Sequence, residues 1–137
     1  MKKVLLLFAV SMFVPQVFAK NQVYRDGGGK IIGTSSNSGS RTVYRDAQGK
    51  IAATAVTNGS RTVYRDSSGR IAGTANTSGN RTVYRDKHGR ISHIETRSGN
   101  NIVIRDSAGR IVSSGTQNTA GQTIYRDSQG RVKAVKR

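Results

Sequence analysis

The stretch KHGRISHIETR, residues 87–97, holds both histidines and the only glutamate of the chain. His93 and Glu95 lie two residues apart, so a strand would put them on one face, where they could share a metal ion or a proton. Two ligands are too few for a metal site, and the segment reads instead as exposed polar substitutions in a drifted repeat. Six aspartates recur in the pattern Asp-x-x-Gly. That pattern supplies one carboxylate followed by a cation, which is not the ligand set of a calcium loop. What remains is binding chemistry. Tyr24-Arg25, Tyr44-Arg45, Tyr64-Arg65, Tyr84-Arg85 and Tyr125-Arg126, with Arg105 at the matching place in the fifth copy, put an aromatic beside a guanidinium. Aromatic faces and cations together can hold a polyanion by stacking and phosphate contacts. No cofactor or metal is expected, and no enzyme, because a nucleophile, a base and an oxyanion stabiliser must converge in a concavity that a thin sheet does not offer.

The elements that position these residues are set by a repeat. Asp26, Asp46, Asp66, Asp86 and Asp106 are spaced by 20 residues and Asp127 by 21, so one residue is inserted before the last unit. Each Asp is followed three residues later by a glycine (Gly29, Gly49, Gly69, Gly89, Gly109, Gly130), then Lys or Arg, then Ile or Val. Gly39, Gly59, Gly79, Gly99 and Gly121 mark the other end of the units. Six such units make one repeat domain over residues 20–137.

Each unit predicts two strands and two turns. RTVYRD and RIAGTA are short, rich in β-branched and aromatic residues, and bounded by turn formers. Asp-x-x-Gly between them suits a type I turn closed by a left-handed glycine, the three-residue hairpin loop with a bulge. In the second unit this register would set Asp46 against Lys50 as an ion pair, Arg45 against Ile51, Tyr44 against Ala52, Val43 against Ala53 and Thr42 against Thr54. The same ion pair is expected for Asp66 with Arg70 and Asp86 with Arg90. Arg65 and its equivalents have no part in that hairpin and are the first candidates for a function. The second connection, at Asn58-Gly59, reads as a loop of odd length, since in that register a two-residue loop would flip Tyr64 to the face opposite Tyr44.

Composition bounds the rest. MKKVLLLFAVSMFVPQVFA, residues 1–19, has a basic start, a short apolar run and a small-residue end, which predicts a signal peptide cleaved after Ala19. Export follows, to the periplasm, the exterior or the cell surface, with no cysteine to carry a lipid or form a disulfide. The remaining 118 residues contain no Phe, Leu, Met, Trp or Pro, and only 19 Val and Ile, close to the level at which charged chains stay disordered. They carry 21 basic and seven acidic residues, a net charge of +14. Such a charge predicts attraction to lipopolysaccharide, anionic lipid, acidic polysaccharide or extracellular DNA. The cations could equally keep a flat sheet soluble and guard its edges, as KAVKR does for the last strand.

Tyr-x-Asp-x-x-Gly-Arg-Ile, as in YRDSSGRI and YRDKHGRI, resembles the YD repeat of RHS-type bacterial surface and toxin proteins, over residues 23 to about 133. That resemblance implies a continuous, spiralling antiparallel sheet of hairpins. The family places Tyr directly before Asp, whereas an arginine intervenes here. Its encapsulating role does not carry over, because six units are too few for a closed shell and no cargo domain is present. Five or so strand-turn-strand units after a signal peptide are also similar in organisation to curli-type secreted amyloid subunits. The expected fold is therefore an all-β hairpin meander or spiral, with a β-solenoid as the alternative. The expected function is a basic Tyr/Arg surface that binds a polyanion or another protein, with self-assembly into a fibre or matrix as the alternative.

Overall fold

The structure, a computed structural model, describes residues 21–137, all of it strand and turn. The predicted signal peptide and its cleavage site lie outside the described residues. Unit by unit, the strands are β1 (Gln22–Arg25) with β2 (Ile31–Ser38), β3 (Arg41–Asp46) with β4 (Ile51–Asn58), and β5 (Arg61–Asp66) with β6 (Ile71–Ser78). There follow β7 (Arg81–Asp86) with β8 (Ile91–Ser98), β9 (Asn101–Asp106) with β10 (Ile111–Gln117), and β11 (Thr123–Asp127) with β12 (Val132–Lys136). Each strand pairs antiparallel with its sequence neighbours, as the hairpin meander requires, and no rung-on-rung solenoid is needed to account for the repeat. The first strand also pairs with the last. Six units thus close into a twelve-stranded barrel, where an open meander or spiral was expected.

The Asp-x-x-Gly turns explain why each hairpin forms. In the second unit the Asp46 amide donates to the Lys50 carbonyl at 2.9 Å and the Gly49 amide to the Asp46 carbonyl at 3.0 Å. The Asp46 carboxylate oxygen Oδ1 accepts the amides of Gln48 and Lys50, each at 2.9 Å. Gly49 sits at φ +81°, a left-handed conformation that costs an L side chain about 1–2 kcal/mol. The same set recurs at all six aspartates.

Above the turn the register departs from expectation. Arg45 faces Ile51, but Tyr44 faces Ala53, Val43 faces Thr54 and Thr42 faces Ala55. Ala52 is therefore an extra residue, a bulge of the kind that bends and twists a strand so that a sheet can curl. The second connection is also corrected: Asn58 pairs with Arg61 across the two-residue loop Gly59-Ser60. Gly59 at φ +59° takes its first central position, as a type II′ turn needs. The loop is even, yet Tyr64 and Tyr44 share a face, because the bulge makes the one-residue parity change that had been assigned to the loop.

The residue inserted before the last unit is absorbed in the same language. Asn118 replaces Asp as the acceptor: its side-chain oxygen takes the amides of Ala120 and Gln122 at 3.1 and 3.0 Å. Gly121 has φ +80°, like the glycines of the Asp turns and unlike Gly59. A two-residue turn has become a three-residue one, and Gly115 still faces Tyr125 as Ala75 faces Tyr84.

Closure creates the core. Tyr24, Tyr44, Tyr64, Tyr84 and Tyr125 all point inward and are at most 8% exposed. Four of them face a small partner across the bulged hairpin: Gly33 for Tyr24, Ala53 for Tyr44, Gly73 for Tyr64 and Ala134 for Tyr125. Around the wall, Ile104 replaces the fifth tyrosine and His93 replaces the fourth small residue. The lost and added volumes lie on adjacent strands. A composition near the disorder limit is sufficient because one closed surface has a single interior, filled by the five tyrosines with Ile102 and Ile104, while Ile31, Ile51, Ile71, Ile91 and Ile111 stay exposed on the outer wall.

Candidate functional site: a basic crown and a polar barrel interior

In a closed up-and-down barrel every odd-to-even turn falls at one end. The six Asp-x-x-Gly turns therefore form a crown. It carries Arg25, Arg45, Arg65, Arg85, Arg105 and Arg126 before or within the turns, Lys30, Lys50, Arg70, Arg90, Arg110 and Arg131 after them, and Lys87 at one tip. These are thirteen of the 21 basic residues of 20–137, against six aspartates, a net of +7 at this end.

The arginines that precede Asp have a structural task after all. Nη1 of Arg65 donates to the Gly69 carbonyl at 2.9 Å, and the same bond joins Arg25 to Gly29, Arg45 to Gly49, Arg85 to Gly89, Arg105 to Gly109 and Arg126 to Gly130. Each clasps its own turn with one N–H, and Arg45, Arg65, Arg85, Arg105 and Arg126 are exposed. The expected Asp–cation ion pair occurs among the described residues at Asp106–Arg110 and Asp127–Arg131, both 2.8 Å. The pairs expected at Asp46–Lys50, Asp66–Arg70 and Asp86–Arg90 are not among them; there, as at all six aspartates, Oδ1 accepts the backbone amides of its turn. Lys50, Arg70 and Arg90 are exposed.

The tyrosines are not on this surface. Burial pushes the hydroxyls of Tyr24, Tyr44, Tyr64 and Tyr84 well above their ordinary pKa. Stacking of a ligand on them, the second half of the expected Tyr/Arg surface, is overturned because alternation on a closed sheet sends Tyr inward and the adjacent Arg outward.

His93 and Glu95 are likewise buried, 5% and 1% exposed, and not the surface substitutions expected from sequence. His93 stacks on Tyr84 with ring centroids 4.5 Å apart, and its Nδ1 lies 2.8 Å from Ser92 Oγ. Burial depresses its pKa to about 4. Glu95 pairs with Arg97 at 2.8 Å. Burial raises its pKa, opposed by the charges of Arg97 and Lys136. Lys136 is 7% exposed, and burial, aided by the like charge of Arg97, lowers its amine to about 8.

Lys136 and Arg97 were not singled out in the sequence, where KAVKR read as edge protection. The strand bearing Lys136 is not an edge. The signal was present in the repeat itself: Ser35, Ala55, Ala75, Glu95, Gly115 and Lys136 occupy one slot of the six units, and only two of them carry charge. Among the described residues, no cluster of three or more metal-ligating side chains occurs.

No protein-family model matches the chain, and no curated protein matches it in sequence. Among solved structures, a mutant of S. aureus TarM in complex with Fondaparinux, alpha-GlcNAc-glycerol and UDP is similar over 73% of this chain and 20% of that one, at 13% identity and a TM-score of 0.28. The chain spans about a fifth of that protein's length, and a likeness at this score supports no conclusion about fold or function.

Proposed function

We propose that the protein is an exported, non-enzymatic repeat barrel whose basic crown docks on polyanions of the cell envelope or its surroundings, such as lipopolysaccharide, acidic polysaccharide or extracellular DNA. One observation carries this reading: thirteen cations are gathered at one barrel end, and the aspartates among them are occupied by their own turns. Six arginines clasped in the same way use one N–H each on their turns, and a guanidinium has further N–H donors suited to repeated phosphate or carboxylate groups. Export rests on the character of residues 1–19. The Asp-x-x-Gly-Arg hairpin supports kinship with YD-repeat proteins, with the tyrosine turned to the interior.

The test uses duplex DNA as a defined polyanion. Lys30, Lys50, Arg70 and Arg90 are exposed and are replaced together by Gln, which leaves every turn acceptor in place. If each contacts one phosphate, the slope of log K against log salt becomes shallower by about 3–4. An unchanged slope and affinity would remove the crown as the binding surface.

A further inference from the structure

We propose that the β1–β12 seam is an exchange point through which a second copy of this chain pairs head to tail, the β12 edge of one copy taking the β1 edge of the next. The inference does not depend on polyanion binding by the crown.

The seam repeats a junction the chain already makes internally. It pairs Tyr24 with Lys136 and Arg25 with Val135. The junction between the fifth and sixth units pairs Tyr125 with Gly115 and Arg126 with Ser114, and the one between the third and fourth pairs Tyr84 with Ala75 and Arg85 with Thr74. Moved by one repeat, these are the same partners in the same register. A β1 edge from another copy therefore presents to β12 the surface that β12 already recognises, with tyrosine inward and arginine outward.

The seam is also the weakest junction. It has two register pairs, flanked by a reciprocal pair of backbone bonds between Val23 and Arg137 at 3.1 Å. The β2–β3, β4–β5, β6–β7 and β8–β9 junctions each have six. The first strand is four residues long, and no hairpin turn joins it to the last. Opening it breaks few backbone bonds and returns Lys136, whose amine the closed interior holds down, to water. An opened copy has two complementary and unpaired edges, the condition under which sheets associate. Because the two edges differ, the contact is heterologous, and successive copies form rings or open chains.

The chain has no cysteine, so an introduced pair reports without interference. Arg25→Cys with Val135→Cys places two thiols directly across the seam on the outer wall, clear of the core. Oxidised while dilute, this variant should form an intramolecular disulfide and then stay monomeric by light scattering at any concentration. Kept reduced, concentrated, and then oxidised, it should give dimers and higher species that run apart on non-reducing gels. The control pair Arg65→Cys with Val135→Cys should give at most about a tenth of that yield. Unmodified protein should show matching concentration-dependent mass and exchange of labelled with unlabelled copies. The proposal is overturned if unmodified protein remains monomeric and does not exchange, or if the control pair cross-links as efficiently as the seam pair.

Discussion

Acid should unfold this barrel through one residue, His93. Its imidazole is buried against Tyr84, and its Nε2 has no hydrogen-bond partner among the described residues, so the charged form is poorly accommodated. Burial lowers its pKa from 6.5 to about 4 in the fold. The folded state therefore binds the proton less readily than the unfolded chain between those values. Stability is whole above pH 6.5 and is lost as pH falls to about 4. At about 1.4 kcal/mol per pH unit, the interval amounts to about 3 kcal/mol. Other groups leave this window interpretable. Asp86, Asp106 and Asp127 are held below 3.8 and act at lower pH. Glu95, raised by burial, works in the opposite sense, favouring the fold as it is protonated. Urea unfolding followed by circular dichroism from about pH 7 to 4, on the wild type and His93→Gln, isolates the term because Glu95 is common to both. The wild type should lose about 3 kcal/mol more than the variant over this range. Equal losses, or an imidazole that titrates near its ordinary value by NMR in the folded protein, would refute the reasoning.

The tyrosine hydroxyls should separate by partner. Tyr24 donates to Gln22 at 2.8 Å and lies 3.1 Å from Ser35 Oγ, whereas the Tyr64 hydroxyl is buried without a hydrogen-bond partner among the described residues. Tyr24→Phe should cost about 1–2 kcal/mol and Tyr64→Phe nothing or a gain, by denaturant unfolding; equal losses would contradict the assignment. At the crown, Gly69→Ala meets no atom within 4 Å but must hold φ +80°, so a loss of about 1–2 kcal/mol is expected from the backbone alone. Arg65→Ala removes the clasp on the Gly69 carbonyl and should cost about 0.5–1.5 kcal/mol in the same assay.

Much of the hairpin was legible because its causes are local. Asp66 to Gly69 specify their turn through contacts four residues long or shorter, and a repeat multiplies that statement six times. The bulge at Ala52 was not legible: an alanine in a strand carries no mark of being unpaired, and its effect on parity was assigned to the Gly59-Ser60 loop instead. The inserted residue before the last unit became intelligible only when Asn118 was seen accepting the amides that Asp accepts elsewhere.

By itself, then, the sequence determined the strands, the turns and their repetition, since each depends on residues adjacent along the chain. Tertiary structure decided which side of the sheet was inside. Once β12 met β1, Tyr64 was committed to the interior and Arg65 to the solvent, and His93, Glu95 and Lys136 became buried groups with displaced pKa values. The physical reason is that closure gives an antiparallel sheet one dry face, and period-two alternation then distributes every side chain to it or away from it.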